Sequence, residues 1–231
     1  MQSMNQKLKL PQPGSPQAGV LVERCRQIST AVWSDALDQL GIEGVVSGLR
    51  MRSGAGRCAG FAATALGEVR PLGGFRLDEF GQDRMIASAG PTQVLVIAVG
   101  GAEASAMGGI VALAAFKKGI EGVVIDGACR DIDDIRTGGL WLASRHVTPR
   151  TGKSRIRLGG FGEPVMLAGH LVAAGDLIVG DATGLVVVPR HTLWQALALA
   201  EKVFQSDARL ESAIASGQAL GDAAQAHKTC P

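Results

Sequence analysis

A chain of 231 residues, 46% of them hydrophobic, carries enough apolar material for one compact domain with a substantial core. Its formal net charge of +2 is spread along the chain, which excludes the basic footprint of proteins that bind nucleic acid or anionic membranes. The four cysteines form no CxxC pair and no Cys–His cluster, so a zinc site and a disulfide framework are excluded as well.

Composition also predicts the limits of the folded part. Residues 1–19 are rich in Pro, Gln, Gly and Ser and are predicted to be a flexible N-terminal tail. Residues 20–215 are predicted to form the α/β domain, and residues 216–231 a C-terminal tail. The N-terminus lacks the apolar core of a signal peptide and no segment predicts a membrane span, so a cytoplasmic location without a membrane partner is expected.

The first predicted element is a helix in "ISTAVWSDALDQLG", with Ser29 or Thr30 as its cap and Gly41 at its end. "GRCAGFAATAL" is typical of a strand, and "EVRPLGGFRLDEFGQD" predicts a loop with at most one helical turn. In the centre, "TQVLVIAVGG" predicts a strand that ends at the Gly100–Gly101 pair.

A helix is then predicted from near Gly108 to Gly119, followed by the strand "GVVID". Strand, helix and strand in this order indicate parallel pairing with a crossover. The second half alternates short apolar segments with turn signals such as "GDATG", which favours antiparallel strands, and a final helix is predicted from His191.

Glycines at the start of the central helix indicate a candidate anion site. Gly100, Gly101, Gly108 and Gly109 surround a helix start whose free amides and positive dipole end favour a small carboxylate or phosphate. The alternative is that these glycines serve only tight turns and helix packing. A P-loop is excluded because no GKS or GKT is present.

The segment "DGACRD" after the next strand is the second candidate. Arg130 offers a planar, always-charged group for a carboxylate or an enolate oxygen, and Asp131 offers an anionic ligand for a divalent ion. The alternative is a surface ion pair in which Asp131 caps the helix "IDDIR". Asp133 and Asp134 are interpreted as solvated acids in the first turn of that helix.

Other polar residues carry weaker signals. Asp181 in "GDATG" is interpreted as a turn residue rather than a catalytic one. A basic loop predicts either a second anion site or a solvated surface; it contains Arg150, Lys153, Arg155 and Arg157. The four histidines show no ligand spacing, and Cys129, beside Arg130, is interpreted as a packing residue.

The chain resembles a known family through an ordered set of segments. These are "STAVWSDALDQLG", "VLVIAVGG", "GGIVALAAFKKGIEGVVIDGACRDIDDIR", "VTPR" and "AGDLIVGDATGLVVVP". In this order they resemble the RraA-like family from about Arg24 to Glu201. That family includes class II 4-hydroxy-4-methyl-2-oxoglutarate / 4-carboxy-4-hydroxy-2-oxoadipate aldolases with oxaloacetate decarboxylase activity, and regulators that bind ribonuclease E.

The resemblance implies an α/β fold with a swivelling β/β/α-type layering, and a homotrimer or homohexamer with its site at a subunit interface. It implies that Arg130 contacts the pyruvoyl part of a substrate and that Asp131 ligates Mg²⁺ or Mn²⁺. The substrate carboxylate would be held by backbone amides at the helix start, those of Gly108, Gly109, Ile110 and Val111.

Two positions depart from the family's pattern. Gly109 stands where aldolases often carry an acid that orients metal-bound water, and Thr183 stands where an acid is common in the "GDxDG" turn. The Arg130–Asp131 pair is complete, whereas the ribonuclease regulators tend to lack that aspartate.

The expected function is divalent-metal-dependent cleavage of a carbon–carbon bond in a small 2-oxo acid through a pyruvate enolate, by retro-aldol reaction or decarboxylation. Arg150 or Lys153 is a candidate for holding a distal carboxylate. Two alternatives remain: a non-catalytic regulator that binds a protein such as a ribonuclease, and a lyase or binding protein for a different carboxylate.

Overall fold

A nine-stranded mixed sheet forms the centre of the protein in a computed structural model, which describes residues 9–228 and the side chains of residues 9–225. The strands are β1 Val45–Val46, β2 Arg50–Ser53, β3 Cys58–Val69, β4 Gln93–Met107, β5 Gly122–Cys129, β6 Leu142–Val147, β7 Ile156–Gly159, β8 Val165–Leu167, β9 His170–Val172, β10 Leu177–Gly180 and β11 Leu185–Val188. The helices are α1 Pro16–Arg26, α2 Thr30–Asp38, α3 Gln82–Ala87, α4 Gly109–Lys117, α5 Ile132–Gly138, α6 Leu193–Ala215 and α7 Leu220–Lys228, with a 3₁₀ turn at Leu77–Glu79.

The strand order is β1-β11-β10-β3-β4-β5-β6-β2, with β7 also paired to β3. β3, β4, β5 and β6 are parallel to one another, and the predicted β4–α4–β5 crossover is confirmed. Pairs that involve β1, β2, β7, β10 or β11 are antiparallel, as predicted for the second half of the chain. β6 is the exception: it lies parallel to β5 because α5 provides a second crossover between them.

Both faces of the sheet are covered, which gives three layers. On one face, α3 to α5 cover the β4–β5 part of the core, and α1, α2 and α6 cover β10 and β11. On the other face, the hairpin of β8 and β9 packs through Val165, Leu167 and Val172. Because β4 is buried on both faces, its sequence is an unbroken apolar run rather than an alternating one. The expected α/β fold with β/β/α-type layering is confirmed.

β4 is longer than its sequence predicts. The strand does not end at Gly100 and Gly101; both have positive φ, 60° and 75°, and pairing with β5 shifts register there and resumes as far as Met107. Glycine adopts these angles without the strain that a side chain would cause. The pair therefore forms a bulge inside the strand.

Helix α3 was not predicted. It follows Gly81, whose φ of 76° starts the helix from a left-handed turn, and it buries only Met85 completely. A six-residue helix with one core residue has no readable apolar period, so the sequence alone indicated a loop.

The folded part extends further toward both ends than predicted. Ser15 caps α1 with Pro16 in its first turn, and Ala18 is fully buried against the α6 side of the core, so the N-terminal tail is shorter than residues 1–19. In the predicted C-terminal tail, α7 is helical and Ala223 is 4% exposed. Residues 1–8 and 229–231, including Cys230, lie outside the described residues.

Three cysteines are buried free thiols, as expected from their spacing: Cys25, Cys58 and Cys129. Burial raises the pKa of Cys25 and of Cys58 to about 12, so both are inert packing residues. Within residues 9–228, none of the helices combines the length and the apolar character that a membrane crossing requires.

Candidate active site

Two predicted site segments meet at the carboxyl end of the parallel strands. Met107 and Cys129, the last residues of β4 and β5, are register partners, and the Arg130 amide donates to the Met107 carbonyl at 3.0 Å. The segments that follow these strands therefore lie side by side. Open α/β sheets bind ligands in such a place, at the carboxyl ends of neighbouring strands.

Asp131 joins the two segments directly. Its Oδ2 accepts a hydrogen bond from the Gly109 amide at 3.1 Å, and Arg130 Nε lies 3.4 Å from the same oxygen. Asp131 stands at the N-cap position of α5, yet it gives that helix no side-chain cap. The alternative that Asp131 caps its own helix is wrong, because its carboxylate reaches the first turn of α4 instead.

The backbone of Asp131 is left-handed, with φ 56° and ψ 44°. Asp and Asn adopt this region more readily than other residues with side chains, although it is still less favourable than the right-handed region. This conformation turns the chain sharply after β5. Arg130 and Asp131 keep side-chain exposures of 36% and 41%, so both remain accessible to a ligand.

Close approach explains the glycines at the start of α4. A Cβ on Gly108 would lie 2.6 Å from Asp131 Oδ2, and a Cβ on Gly109 would lie 2.9 Å from the Asp134 Cβ. Gly108 has an extended backbone, so the space beside it, rather than its φ, excludes a side chain. The approach at Gly109 is packing of α4 against α5, which agrees with the alternative that these glycines serve turns and helix packing, whereas Gly108 lies against the Arg130 and Asp131 side chains.

Asp134 is exposed in the first turn of α5, as interpreted from the sequence, and it also lies close to the start of α4. Its Oδ2 would be 3.2 Å from a Cβ on Gly109, which places an exposed carboxylate beside the start of α4. Asp134 follows Asp131, the N-cap residue, by three positions and stands in the first turn of α5. That spacing is the signal that could have identified it.

The amides at the start of α4 are only partly available. The first helical bond runs from Ala112 N to Gly108 O, so the amides of Gly109, Ile110 and Val111 have no acceptor within the helix. Gly109 donates to Asp131, which leaves Ile110 and Val111 as the candidate amides for a substrate carboxylate. The positive end of the helix dipole favours an anion at that position.

Gly100 and Gly101 do not belong to this site. They lie in the bulge of β4, where a Cβ on Gly101 would contact Arg145 Nε at 3.4 Å. Arg145 in turn holds Asp126, which is 4% exposed, with Nε 2.7 Å from Oδ1. The predicted four-glycine anion site is therefore reduced to Gly108 and Gly109.

The predicted basic loop divides into two parts. The Thr148 amide donates to the Cys129 carbonyl and the Ser105 amide to the Arg150 carbonyl, each at 3.0 Å, so the loop backbone lies against the site end of the sheet. Arg150 and Lys153 are exposed there. Arg157 instead forms ion pairs with acidic side chains and stacks on an aromatic ring, and its contacts are Glu68, Glu79 and Phe75.

Asp181 is a turn residue, as interpreted from sequence. Its carboxylate accepts hydrogen bonds from the Thr30 amide and hydroxyl at 3.0 and 2.8 Å, and from the amides of Thr183 and Gly184. Burial alone would raise the pKa of Asp181, but these hydrogen bonds outweigh burial and hold the pKa below its ordinary value. Asp181 thus ties the β10–β11 turn to the start of α2.

Cys129 is also a packing residue. Its Sγ lies 3.5 Å from the Ser144 hydroxyl, and burial raises the pKa of the Cys129 thiol despite that hydrogen bond. Its neighbour Arg130 is therefore the first group after β5 that is able to contact a ligand.

The donor set fits a weakly ligated, hydrated divalent ion. The part of the chain that the structure describes contains no cluster of three or more His, Cys, Asp or Glu side chains suited to a metal. Asp131 and Asp134 nevertheless bring two carboxylates to the same helix start. Mg²⁺ is commonly held by one or two carboxylates plus water and substrate oxygens, so this pair is chemically suitable.

The chain is an α/β domain with an exposed Arg–Asp pair at the carboxyl end of its parallel strands. A family model described as RraA-like, aldolase/RraA, matches residues 30–187, which is more than half of the chain. The chain belongs to the RraA-like family.

Two curated relatives show the range of similarity. An uncharacterised protein of Methanocaldococcus jannaschii is 34% identical over 127 residues, which are 55% of this chain and 61% of that protein. A protein of Halalkalibacterium halodurans, provisionally named 4-hydroxy-4-methyl-2-oxoglutarate aldolase, is 31% identical over 194 residues, which are 84% of this chain and 88% of the relative.

Solved structures share the fold over nearly the whole chain. An uncharacterised protein from Pseudomonas syringae pv. tomato has 30% identity and a TM-score of 0.80, covering 92% of this chain and 99% of its own. RraAS2 of Streptomyces coelicolor, described as an unusual member of the RNase ES inhibitor RraA family, has 25% identity and a TM-score of 0.75, covering 89% of this chain and all of its own.

Proposed function

We propose that this protein is a divalent-metal-dependent lyase that cleaves a carbon–carbon bond in a small 2-oxo acid, by retro-aldol reaction or by decarboxylation. The observation that carries the proposal is the convergence of Arg130 and Asp131 on the start of α4. A relative named as an aldolase supports the same class of reaction.

Asp131 would hold the ion, with Asp134 beside it. When bound there, Mg²⁺ or Mn²⁺ would supply Lewis-acid polarisation of the substrate's 2-oxo group. The 3.1 Å hydrogen bond from the Gly109 amide fixes the position of the Asp131 carboxylate. A carboxylate held in this way is already oriented before any ligand arrives.

The residues of the chain provide the remaining steps. The amides of Ile110 and Val111 would bind the substrate's 1-carboxylate at the positive end of α4. The Arg130 guanidinium would donate hydrogen bonds to the 2-oxo oxygen and stabilise the negative charge that gathers there as the bond breaks and an enolate of pyruvate forms. Asp134 would accept the proton of the substrate hydroxyl in a retro-aldol cleavage.

Arg150 and Lys153 are proposed to contact a distal carboxylate, because the loop that carries them is bonded to the site end of the sheet.

We propose further that the protein assembles as a trimer or hexamer. α4 exposes Ile110, Leu113 and Phe116 by 87%, 49% and 45%, which is an apolar face directly beside the site. Light scattering coupled to size-exclusion chromatography would measure the assembly.

The test is pyruvate release from oxaloacetate and from 4-carboxy-4-hydroxy-2-oxoadipate, with Mg²⁺ or with EDTA. Wild type, Asp131→Ala and Arg130→Ala are compared with Asp133→Ala, a matched control whose side chain is 93% exposed. We expect metal-dependent turnover that falls at least about 100-fold in the first two variants and is unchanged in the control.

A second candidate function is supported by the similarity to RraAS2. A regulator that binds a ribonuclease would need the fold but not the Asp131 carboxylate. Absence of turnover with either substrate, together with equal ribonuclease inhibition by wild type and Asp131→Ala, would favour the regulator. Turnover of a different 2-oxo acid alone would favour a lyase with another substrate.

A further inference from the structure

A cleft of about 1100 Å³ lies on the helical face of the sheet, away from Arg130 and Asp131. It is lined by residues of β3, by Gln93 at the start of β4 and by the start of α6. The proposed active site follows Met107, at the opposite end of β4. The two sites are therefore separate.

The cleft exists because the helices on this face form two groups. α1, α2 and α6 pack over Phe61 and the strands beside it, whereas α3 to α5 pack over Ala63 and the β4–β5 region. Ala63 lies where the two helix groups meet. Its side chain is only a buried methyl group, so the space above it is not filled by a larger side chain. Residues 9–13 also line the cleft, and the Gly14 amide anchors this segment to the Thr92 hydroxyl at 2.8 Å.

The titratable side chains that line the cleft are all basic. Lys9, Arg190 and His191 line it, and the lining includes no Asp or Glu. Among residues 9–228, neither Lys9 nor Arg190 forms an ion pair with an acid. Two accessible cations without an ion-pair partner among these residues favour an anionic ligand.

Arg190 is held in place through its backbone. Its amide donates to Asp176 Oδ1 at 2.8 Å, and Asp176 Oδ2 accepts from the Ala173 amide, so the acid is satisfied by main-chain groups. The Arg190 guanidinium lies over Gly175, where a Cβ would contact Nη1 at 3.7 Å. The backbone is thus fixed while the guanidinium remains available.

The start of α6 adds a second source of positive potential. The Thr192 hydroxyl at its N-cap donates to the Pro189 carbonyl rather than accepting from a helix amide, and the first helical bond is from Ala196 N to Thr192 O. A 23-residue helix therefore directs its uncapped end toward Arg190 and His191. The apolar part of the lining includes Leu10 and Trp194, with the buried Phe61 and Ala63 at its floor.

We propose that this cleft binds a small organic anion with an apolar body, whose charge lies at Arg190 and the start of α6 and whose body lies against Leu10 and Trp194. The cleft volume of about 1100 Å³ lies just above the range typical of small-molecule sites, about 300–1000 Å³. The proposal does not depend on the lyase assignment, because it uses other residues at the other end of β4.

Isothermal titration calorimetry with 2-naphthoate, in EDTA, tests the proposal on the full-length protein. We expect one saturable site that binds the neutral isostere 2-naphthamide at least about tenfold more weakly. Arg190→Gln should weaken 2-naphthoate binding about tenfold, whereas Arg209→Gln, an exposed arginine of α6 outside the cleft, should not.

Arg130→Ala changes the proposed active site but not the cleft, so this variant should bind 2-naphthoate with the wild-type affinity. Loss of binding in Arg130→Ala, equal affinity for 2-naphthamide, or displacement by inorganic phosphate at the same concentration would each overturn the proposal, as would absence of saturable binding. Because Arg190 is exposed, Arg190→Gln should keep the wild-type thermal midpoint, so wild-type affinity in this variant would also overturn it.

Discussion

Strand β5 contains one aspartate and is followed by another just past its end, and each meets an arginine. Asp126 is 4% exposed, and both of its carboxylate oxygens are bonded, one to Arg145 Nε at 2.7 Å and one to the Ala168 amide at 3.0 Å. Asp131 is 41% exposed and lies 3.4 Å from Arg130 Nε. Asp and Arg therefore form two different pairs. Asp126–Arg145 is a closed pair, buried and fully bonded, and Arg130–Asp131 is an open pair, exposed and only partly bonded.

The comparison distinguishes an ion pair that stabilises the fold from an ion pair that is exposed to ligands. The Asp126–Arg145 pair joins the β8–β9 hairpin to the sheet and leaves little capacity for an additional ligand. Asp131 is bonded to other described residues only through Oδ2, and solvent reaches both members of the pair. Burial and saturated hydrogen bonding identify the structural pair, whereas exposure and spare bonding capacity identify the pair that is accessible to a ligand.

Asp131→Asn should have the largest effect. It removes the charge but keeps the side-chain size and a residue that tolerates the left-handed backbone. Pyruvate release should fall at least about 100-fold, while the free energy of unfolding changes by less than about 1 kcal/mol. Steady-state kinetics and urea denaturation measure the two quantities. Retained turnover would show that the carboxylate is not needed for the reaction.

Asp126→Asn should have the opposite effect. It leaves Arg145 without its partner and directs an amide group toward a donor, so we expect a loss of about 2 kcal/mol in unfolding free energy. The Arg145 side chain is 32% exposed, so water can solvate its charge, which limits the loss of unfolding free energy. Turnover per folded molecule should remain at the wild-type level. An unchanged urea midpoint would contradict the structural role of this pair.

Gly109→Ala tests the close approach beside the open pair. Its Cβ would lie 2.9 Å from the Asp134 Cβ, so α4 and α5 must move apart, and turnover should fall about tenfold. Gly138→Ala in α5 is the matched control, because a Cβ there meets nothing within 4 Å, and it should leave turnover unchanged. Equal kinetics for the two variants would remove the spatial argument for Gly109.

Asp181→Ala should have the smallest effect, about 1 kcal/mol of unfolding free energy at neutral pH, because it removes the bonds to Thr30. The folded-state pKa of Asp181 lies below its ordinary value of 3.8, so this stabilisation is present above that pH and is lost as the pH falls through the folded-state pKa. Unfolding measured against pH should show wild type and variant converging in acid. A constant difference would assign the effect to packing.

The sequence was sufficient for the central crossover and for the place of Arg130 and Asp131. An apolar run followed by glycine and charge is a local pattern, and the β4–α4–β5 unit follows from it. The partner of the Asp131 carboxylate was not predictable in the same way. The Gly109 amide is 22 residues away, and the contact depends on how two parallel strands align.

Contacts set by register account for the remaining differences. The continuation of β4 beyond Gly101 requires pairing with β5, and the Asp126–Arg145 pair joins residues 19 positions apart on neighbouring strands. Asp134 was assigned to solvent because its exposure and charge fit a first helical turn. Only the packing of α4 against α5 shows that it lies beside Gly109.

The left-handed backbone at Asp131 also limits which residues can replace it during evolution. Gly and Asn adopt this conformation as easily as Asp does, whereas branched side chains do not. A lineage can therefore exchange the carboxylate for an amide or a hydrogen atom without rebuilding the loop. Descendants with and without the carboxylate would inherit the same architecture and would differ at a single codon.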